Sequence, residues 1–316
     1  MSDIDALASE VDDGRKRFLE LVAEIRPDLH RYCARMTGST SDGEDIVQET
    51  LARAYFTLPE MDSRPSLRSW LFQIAHHRAL DHLRRYDRRM GRPLEDLGEA
   101  VADELELADD GIARQDAVRS AIAVFLELPP LPRSCVILKD VLGHSVEEIA
   151  ALLNQSEAAT KAALHRGRLR LRALREVQPK SPDAPPPFST TLLRYAALFN
   201  AGDWDGVRAL LADEVRLDLV SRSQRAGRRD VGGYVANYAR FDDWCLVPAR
   251  LDGREVVAGF RSASEAKPSY YIELVIEAGL VTAIRDFRYV PYICVDAAIE
   301  VAERPCAGAF TRRRSP

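Results

Sequence analysis

The chain has 316 residues, 46% of them apolar and 29% charged, with a formal net charge of −5. That balance belongs to folded globular proteins and excludes fibrous, disordered and membrane-spanning classes. It also excludes general coating of nucleic acid, so any DNA contact has to come from local basic patches.

The length suits two or three domains. Residues 1–20 are acidic and polar rather than basic and apolar, and no stretch reaches membrane-span length, which predicts a cytoplasmic protein with no membrane partner. Cys33, Cys135, Cys245, Cys294 and Cys306 form no CxxC pair and have no His at ligand spacing, so no disulfide framework, metal site or cofactor is expected.

Residues 15–90 read as helical, with few breakers. Ser41 and Asp42 are candidate N-caps, Glu44 and Asp45 suit a first turn, and Val47, Leu51, Ala54, Tyr55 and Leu58 share one face. Asp42, Asp45, Gln48, Glu49 and Arg53 occupy the other. A second helix over 64–89 has the apolar stripe Leu67, Trp70, Leu71, Ile74 and Leu83. Its remaining faces carry Arg68, Arg78, Arg84, Arg85, Arg88 and Arg89 with His76, His77 and Tyr86. Guanidiniums for phosphates and rings for stacking are what melted DNA requires.

The run Asp42-Gly-Glu-Asp-Ile-Val-Gln-Glu-Thr-Leu-Ala-Arg-Ala-Tyr55, followed by Arg68-Ser-Trp-Leu-Phe-Gln-Ile-Ala-His-His-Arg-Ala-Leu-Asp-His-Leu-Arg-Arg85, resembles the sigma-2 domain of extracytoplasmic-function RNA polymerase sigma factors. The resemblance implies docking of Asp42, Asp45, Gln48 and Glu49 on the β′ clamp helices of core RNA polymerase. It also implies capture of a flipped minus-10 base by the loop near 59–66, with Met61, Asp62, Ser63 and Arg64 as candidates. Arg68, His76, His77 and Arg84 would hold the melted strand.

Residues 91–116 are acidic, with Arg92 and Arg114 the basic exceptions, and read as a linker. In the family this segment threads the polymerase cleft. From 117 to 177 the helical pattern resumes. Leu128-Pro-Pro-Leu-Pro132 separates two helices, the second running to a stop at Gly143; Ser145 and Glu148 form a capping box, and Asn154-Gln-Ser156 makes a three-residue turn. The next helix carries Lys161, His165, Arg166, Arg168, Arg170, Arg172 and Arg175, with Ala159, Ala163, Leu164, Leu169 and Leu171 for packing. Helix, short turn and basic helix make a helix-turn-helix. Leu131 to Leu153 with this helix resembles the sigma-4 domain. That implies minus-35 readout from Thr160, Lys161, Ala162, His165, Arg166 and Arg168, with the β flap as a further polymerase contact. Ala158-Ala159-Thr160 stands in place of the family's common Gly-Thr-Val start and Ala162-Ala163 where polar residues are common, which shifts specificity toward Lys161, His165, Arg166 and DNA shape.

The segment 178–188 is a proline-rich linker. Beyond it, in 189–316, helices are expected over 189–201, 205–212 and 230–241. Strands are expected over 215–220, 244–251, 256–260, 269–277 and 280–287, with a hairpin turned at Ala278-Gly279 and a final helix over 296–303. This order resembles the SnoaL-like α+β cone, in which Trp204, Tyr234, Tyr238 and Trp244 are candidates to line a pocket for an unknown small ligand. No histidine occurs here, so no catalytic residue is expected, although Asp218 and Asp230 are acids of the type such cones use.

The combined reading is a multi-domain protein: two all-α sigma domains, a sigma-2 helical bundle and a sigma-4 helix-turn-helix, followed by an α+β SnoaL-like cone. It would be a sigma factor, not an enzyme, with core polymerase and promoter DNA as partners and intramolecular control by its C-terminal domain. A ligand-responsive helix-turn-helix regulator and a cyclase-like enzyme with a DNA-binding appendage are the alternatives; the paired sigma-2 motif disfavours the first and the missing catalytic pair the second.

Overall fold

The computed structural model describes residues 13–14, 16–57, 66–90, 117, 121–177, 186–236, 238 and 244–302, and separates into two compact units, Met1–Lys180 and Ser181–Pro316. The acidic stretch 91–116, residues 58–65 with most of the loop expected to take the minus-10 base, most of the proline-rich segment and the C-terminal residues from 303 lie outside the described residues.

In the first unit the helices are α1 (Arg26–Thr37), α2 (Thr40–Thr57), α3 (Leu67–Met90), α4 (Pro130–Val136), α5 (Val146–Leu153) and α6 (Glu157–Val177). Pro27 near its start favours α1, and Gly38 ends it in the left-handed conformation at φ 72°. The α2 cap is Ser39, whose Oγ accepts the Asp42 N–H at 3.2 Å, rather than Ser41 or Asp42. α1 and α2 cross closely because Gly43 has no side chain; a Cβ there would lie 2.6 Å from the Ala34 backbone.

The two all-α blocks share one hydrophobic core. Leu29, Tyr32, Met36, Leu71 and Phe72 from the first pack with Cys135, Val136, Ile137, Leu138 and Ile149 from the second. Polar contacts cross the same seam. The buried Arg133 guanidinium donates to the carbonyls of Met36 (2.6 Å), Leu126 (3.0 Å) and Leu128 (2.7 Å). The α4 helix does not run evenly to Gly143; it passes through a π-helical turn over Ile137–Val141, which turns Asp140 inward.

In the second unit α7 (Thr190–Ala201) and α9 (Arg228–Ala236) pack on a seven-stranded sheet in the order β2-β1-β6-β5-β4-β3-β7, and α8 (Trp204–Ala209) packs against both helices. The strands are β1 (Leu211–Leu219), β2 (Ser223–Ala226), β3 (Cys245–Leu251), β4 (Arg254–Phe260), β5 (Tyr270–Glu277), β6 (Leu280–Asp286) and β7 (Ile299–Val301). β1 and β6 pair in parallel and the other neighbours antiparallel. The α+β order expected from the sequence is present, and the β5–β6 hairpin turns at Ala278 (φ 50°) and Gly279 (φ 81°). Two elements differ. The polar strand β2 pairs with β1, and the segment read as a final helix instead supplies β7, paired with β3 through Ala249–Val301 and Leu251–Ile299.

Candidate functional site

The helix-turn-helix is built as its sequence dictates. Ser145 Oγ accepts the Glu148 N–H at 3.1 Å while the Glu148 carboxylate accepts the Ser145 N–H at 2.8 Å, closing the capping box. The Ser145 N–H that its carboxylate accepts, helped by the nearby His144, holds the Glu148 carboxyl below its ordinary pKa. Asn154 takes the left-handed turn at φ 53°, and Ser156 Oγ caps α6 by accepting the Ala159 N–H at 3.1 Å. α6 then exposes Lys161, Arg166, Arg170 and Arg172, while Ala163, Leu164 and Leu171 are buried. His165 is half-buried, and Leu169, expected to pack, is 52% exposed.

Three minus-35 candidates point inward. Thr160 is fully buried, with its hydroxyl donating to the Ser156 carbonyl at 2.9 Å, and Ala162 is buried as well. Arg168 clamps Asp140 through Nε (2.9 Å) and a terminal nitrogen (2.5 Å), with the two side chains 9% and 2% exposed. Arg168 therefore holds α6 to the π-turn rather than presenting a guanidinium outward.

On α3, Arg84 and His77 are exposed. The Arg84 guanidinium lies 3.5 Å from Asp81 and His77 Nδ1 lies 2.8 Å from the Gln73 carbonyl. Arg68 pairs with Asp28 at 2.7 Å and covers the Phe72 ring at 5.3 Å. His76 departs from its expected role: its Nδ1 is 2.7 Å from the Tyr32 hydroxyl, which also donates to Ser134 Oγ at 3.2 Å. Burial lowers the imidazole pKa to about 4, with His77 adding to the shift. The ring belongs to the seam between the two blocks, not to an outer face. Met61, Asp62, Ser63 and Arg64 lie outside the described residues.

On α2, Asp42, Asp45 and Gln48 are half-buried and Glu49 is exposed. Gln48 donates to Glu44 Oε1 at 3.4 Å, and the wholly buried Glu44 carboxylate pairs with Arg26 at 2.9 Å. Glu44 thus organises the acidic face from beneath.

In the second unit, Trp204 and Trp244 pack against Phe199 at ring-centroid distances of 5.2 and 4.7 Å and belong to the aromatic core. Tyr234 and Tyr238 do line a cavity of about 490 Å³, together with Arg222, Arg225, Arg288 and Tyr289. Behind it lies Asp286, wholly buried, accepting the Tyr238 hydroxyl at 2.7 Å and the Arg288 N–H at 2.9 Å. Burial raises its pKa, against those two hydrogen bonds. Asp286 is not among the acids the sequence offers, Asp218 and Asp230; its one signal there is an acid closing an apolar strand. Asp218 and Asp230 instead pair with Arg285 at 3.7 Å and Arg225 at 3.0 Å.

Comparison with known proteins agrees with these two blocks. Sigma-70 region 2 matches residues 21–89 and Sigma-70 region 4 matches residues 119–171, which defines a two-region sigma architecture. The sigma factor SigW of Bacillus subtilis is 30% identical over 49% of this chain and 87% of its own length. SigG of Mycobacterium tuberculosis is 32% identical over 64% of this chain and 61% of its own, so the chain spans less than two thirds of that relative. The solved structure of Mycobacterium tuberculosis SigJ is 21% identical with a TM-score of 0.34, covering 85% of this chain and 95% of SigJ. The chain belongs to the extracytoplasmic-function RNA polymerase sigma factors. Among the described residues, no helix is long and apolar enough to cross a membrane.

Proposed function

We propose that the protein binds core RNA polymerase, recognises minus-35 and minus-10 promoter elements and starts transcription, with its output set by the C-terminal unit. The observation that carries the reading is the capped turn followed by α6, whose solvent side exposes Lys161, Arg166, Arg170 and Arg172. Glu49 with Asp42, Asp45 and Gln48 is the candidate surface for the β′ clamp helices, and Arg68, His77 and Arg84 are the candidate strand-holding residues on α3. Fusion to the sigma blocks supports control by the C-terminal unit: a ligand or partner that binds one arrangement better shifts the population.

The test is reconstitution. Core polymerase plus this chain should give specific initiation on a promoter library, and removing residues 188–316 should change its level. Lys161→Ala and Arg166→Ala should each weaken promoter binding and lower the salt-dependence slope by about 1, with polymerase binding unchanged. Unchanged footprints in both variants would remove α6 from DNA recognition.

A further inference from the structure

We propose that the cavity between the β1–β2 turn, α9 and the segment after β6 is a binding site for a small aromatic carboxylate. Its volume of about 490 Å³ lies in the usual range for small-molecule sites, roughly 300–1,000 Å³. What distinguishes it is the lining. Three guanidiniums and three phenol rings converge there, and the cations already lie on ring faces. The Arg222 guanidinium carbon is 4.4 Å from the Tyr289 centroid, that of Arg288 is 4.9 Å from Tyr238, and that of Arg225 is 5.6 Å from Tyr234.

The charges do not cancel. Asp230 balances Arg225 at 3.0 Å. Asp286, sealed beneath Tyr238 whose hydroxyl it accepts at 2.7 Å, faces Arg288. Among the described residues Arg222 has no carboxylate partner, so the mouth of the cavity keeps excess positive charge. A planar guanidinium matches a carboxylate through two parallel N–H···O bonds. Beside it, Leu219 and the parts of the tyrosine rings that the guanidiniums leave uncovered favour a flat apolar body over a compact ion. A ligand with both parts satisfies both walls, whereas inorganic phosphate uses only one.

The site is confined to the second unit, so its test needs no polymerase and can fail while the initiation reading stands. Calorimetry on the full chain would compare 2-naphthoate, its neutral analogue 2-naphthamide, and inorganic phosphate. The expected result is saturable one-to-one binding of naphthoate, with the amide and phosphate each weaker by about tenfold or more. Arg222→Gln and Arg288→Gln should each weaken naphthoate by a similar factor, while Arg254→Gln, at the exposed start of β4, leaves it unchanged; circular dichroism checks that each variant is folded. No saturable naphthoate binding, equal affinity for the amide, or undiminished binding in both cavity variants overturns the carboxylate site. Phosphate binding as tight as naphthoate overturns the aromatic part.

Discussion

Replacing Arg168 with alanine separates two roles that the sequence cannot tell apart. The guanidinium is 9% exposed and makes paired hydrogen bonds to Asp140, which is 2% exposed, so its removal strands a carboxylate in the core. Breaking one half of such a pair costs about 3–5 kcal/mol. With a urea m-value near 2 kcal/mol/M, the unfolding midpoint should fall by roughly 2 M. The assay is urea unfolding of the full chain followed by helical circular dichroism, because helices dominate the first unit. The double variant Asp140→Leu, Arg168→Leu should recover most of the loss, since an apolar pair of similar volume replaces the ionic one. A phosphate contact predicts a different outcome: an unchanged midpoint and a promoter salt slope lowered by about 1. That result would refute the structural role of Arg168.

Two further perturbations probe the same unit. Gly43→Ala should destabilise it by about 1–3 kcal/mol in the same unfolding assay, because the added Cβ meets the Ala34 backbone. Stability should also fall on acidification. The folded chain holds His76 neutral down to about pH 4, while the unfolded chain protonates it from about 6.5. Between those values the unfolded state binds the extra proton, so this contribution is intact above about 6.5 and falls by about 2 kcal/mol at pH 5. His76→Gln should flatten that part of the pH–stability curve, and an unchanged curve would place the ring outside the seam.

Local signals were legible wherever a few adjacent residues settle the geometry. Ser145 with Glu148, Asn154 in the left-handed turn, Ser156 as a cap and Ala278-Gly279 at the hairpin are each decided by their near neighbours. The departures arise where a distant partner decides. Arg168 looks like its exposed neighbours until the π-turn turns Asp140 toward it, and His76 looks like a DNA ligand until Ser134 and Tyr32 enclose it. Asp286 gains meaning only from Tyr238, 48 positions away. β7 was read as helical because a three-residue edge strand is too short to show alternation and is specified by its pairing with β3. Leu169 shows the limit of face patterns, since a leucine at helical spacing still lies open to solvent.

The parallel pairing of β1 with β6 gives the chain an order of assembly. Leu217 meets Ile284 where β1 pairs with β6, so β1 and its partner β2 have no other strand to join until β6, late in the second unit, has been synthesised. The first unit is made earlier and depends largely on helix–helix contacts that form quickly. On the ribosome, the part proposed to handle DNA is therefore able to fold before the part proposed to govern it exists.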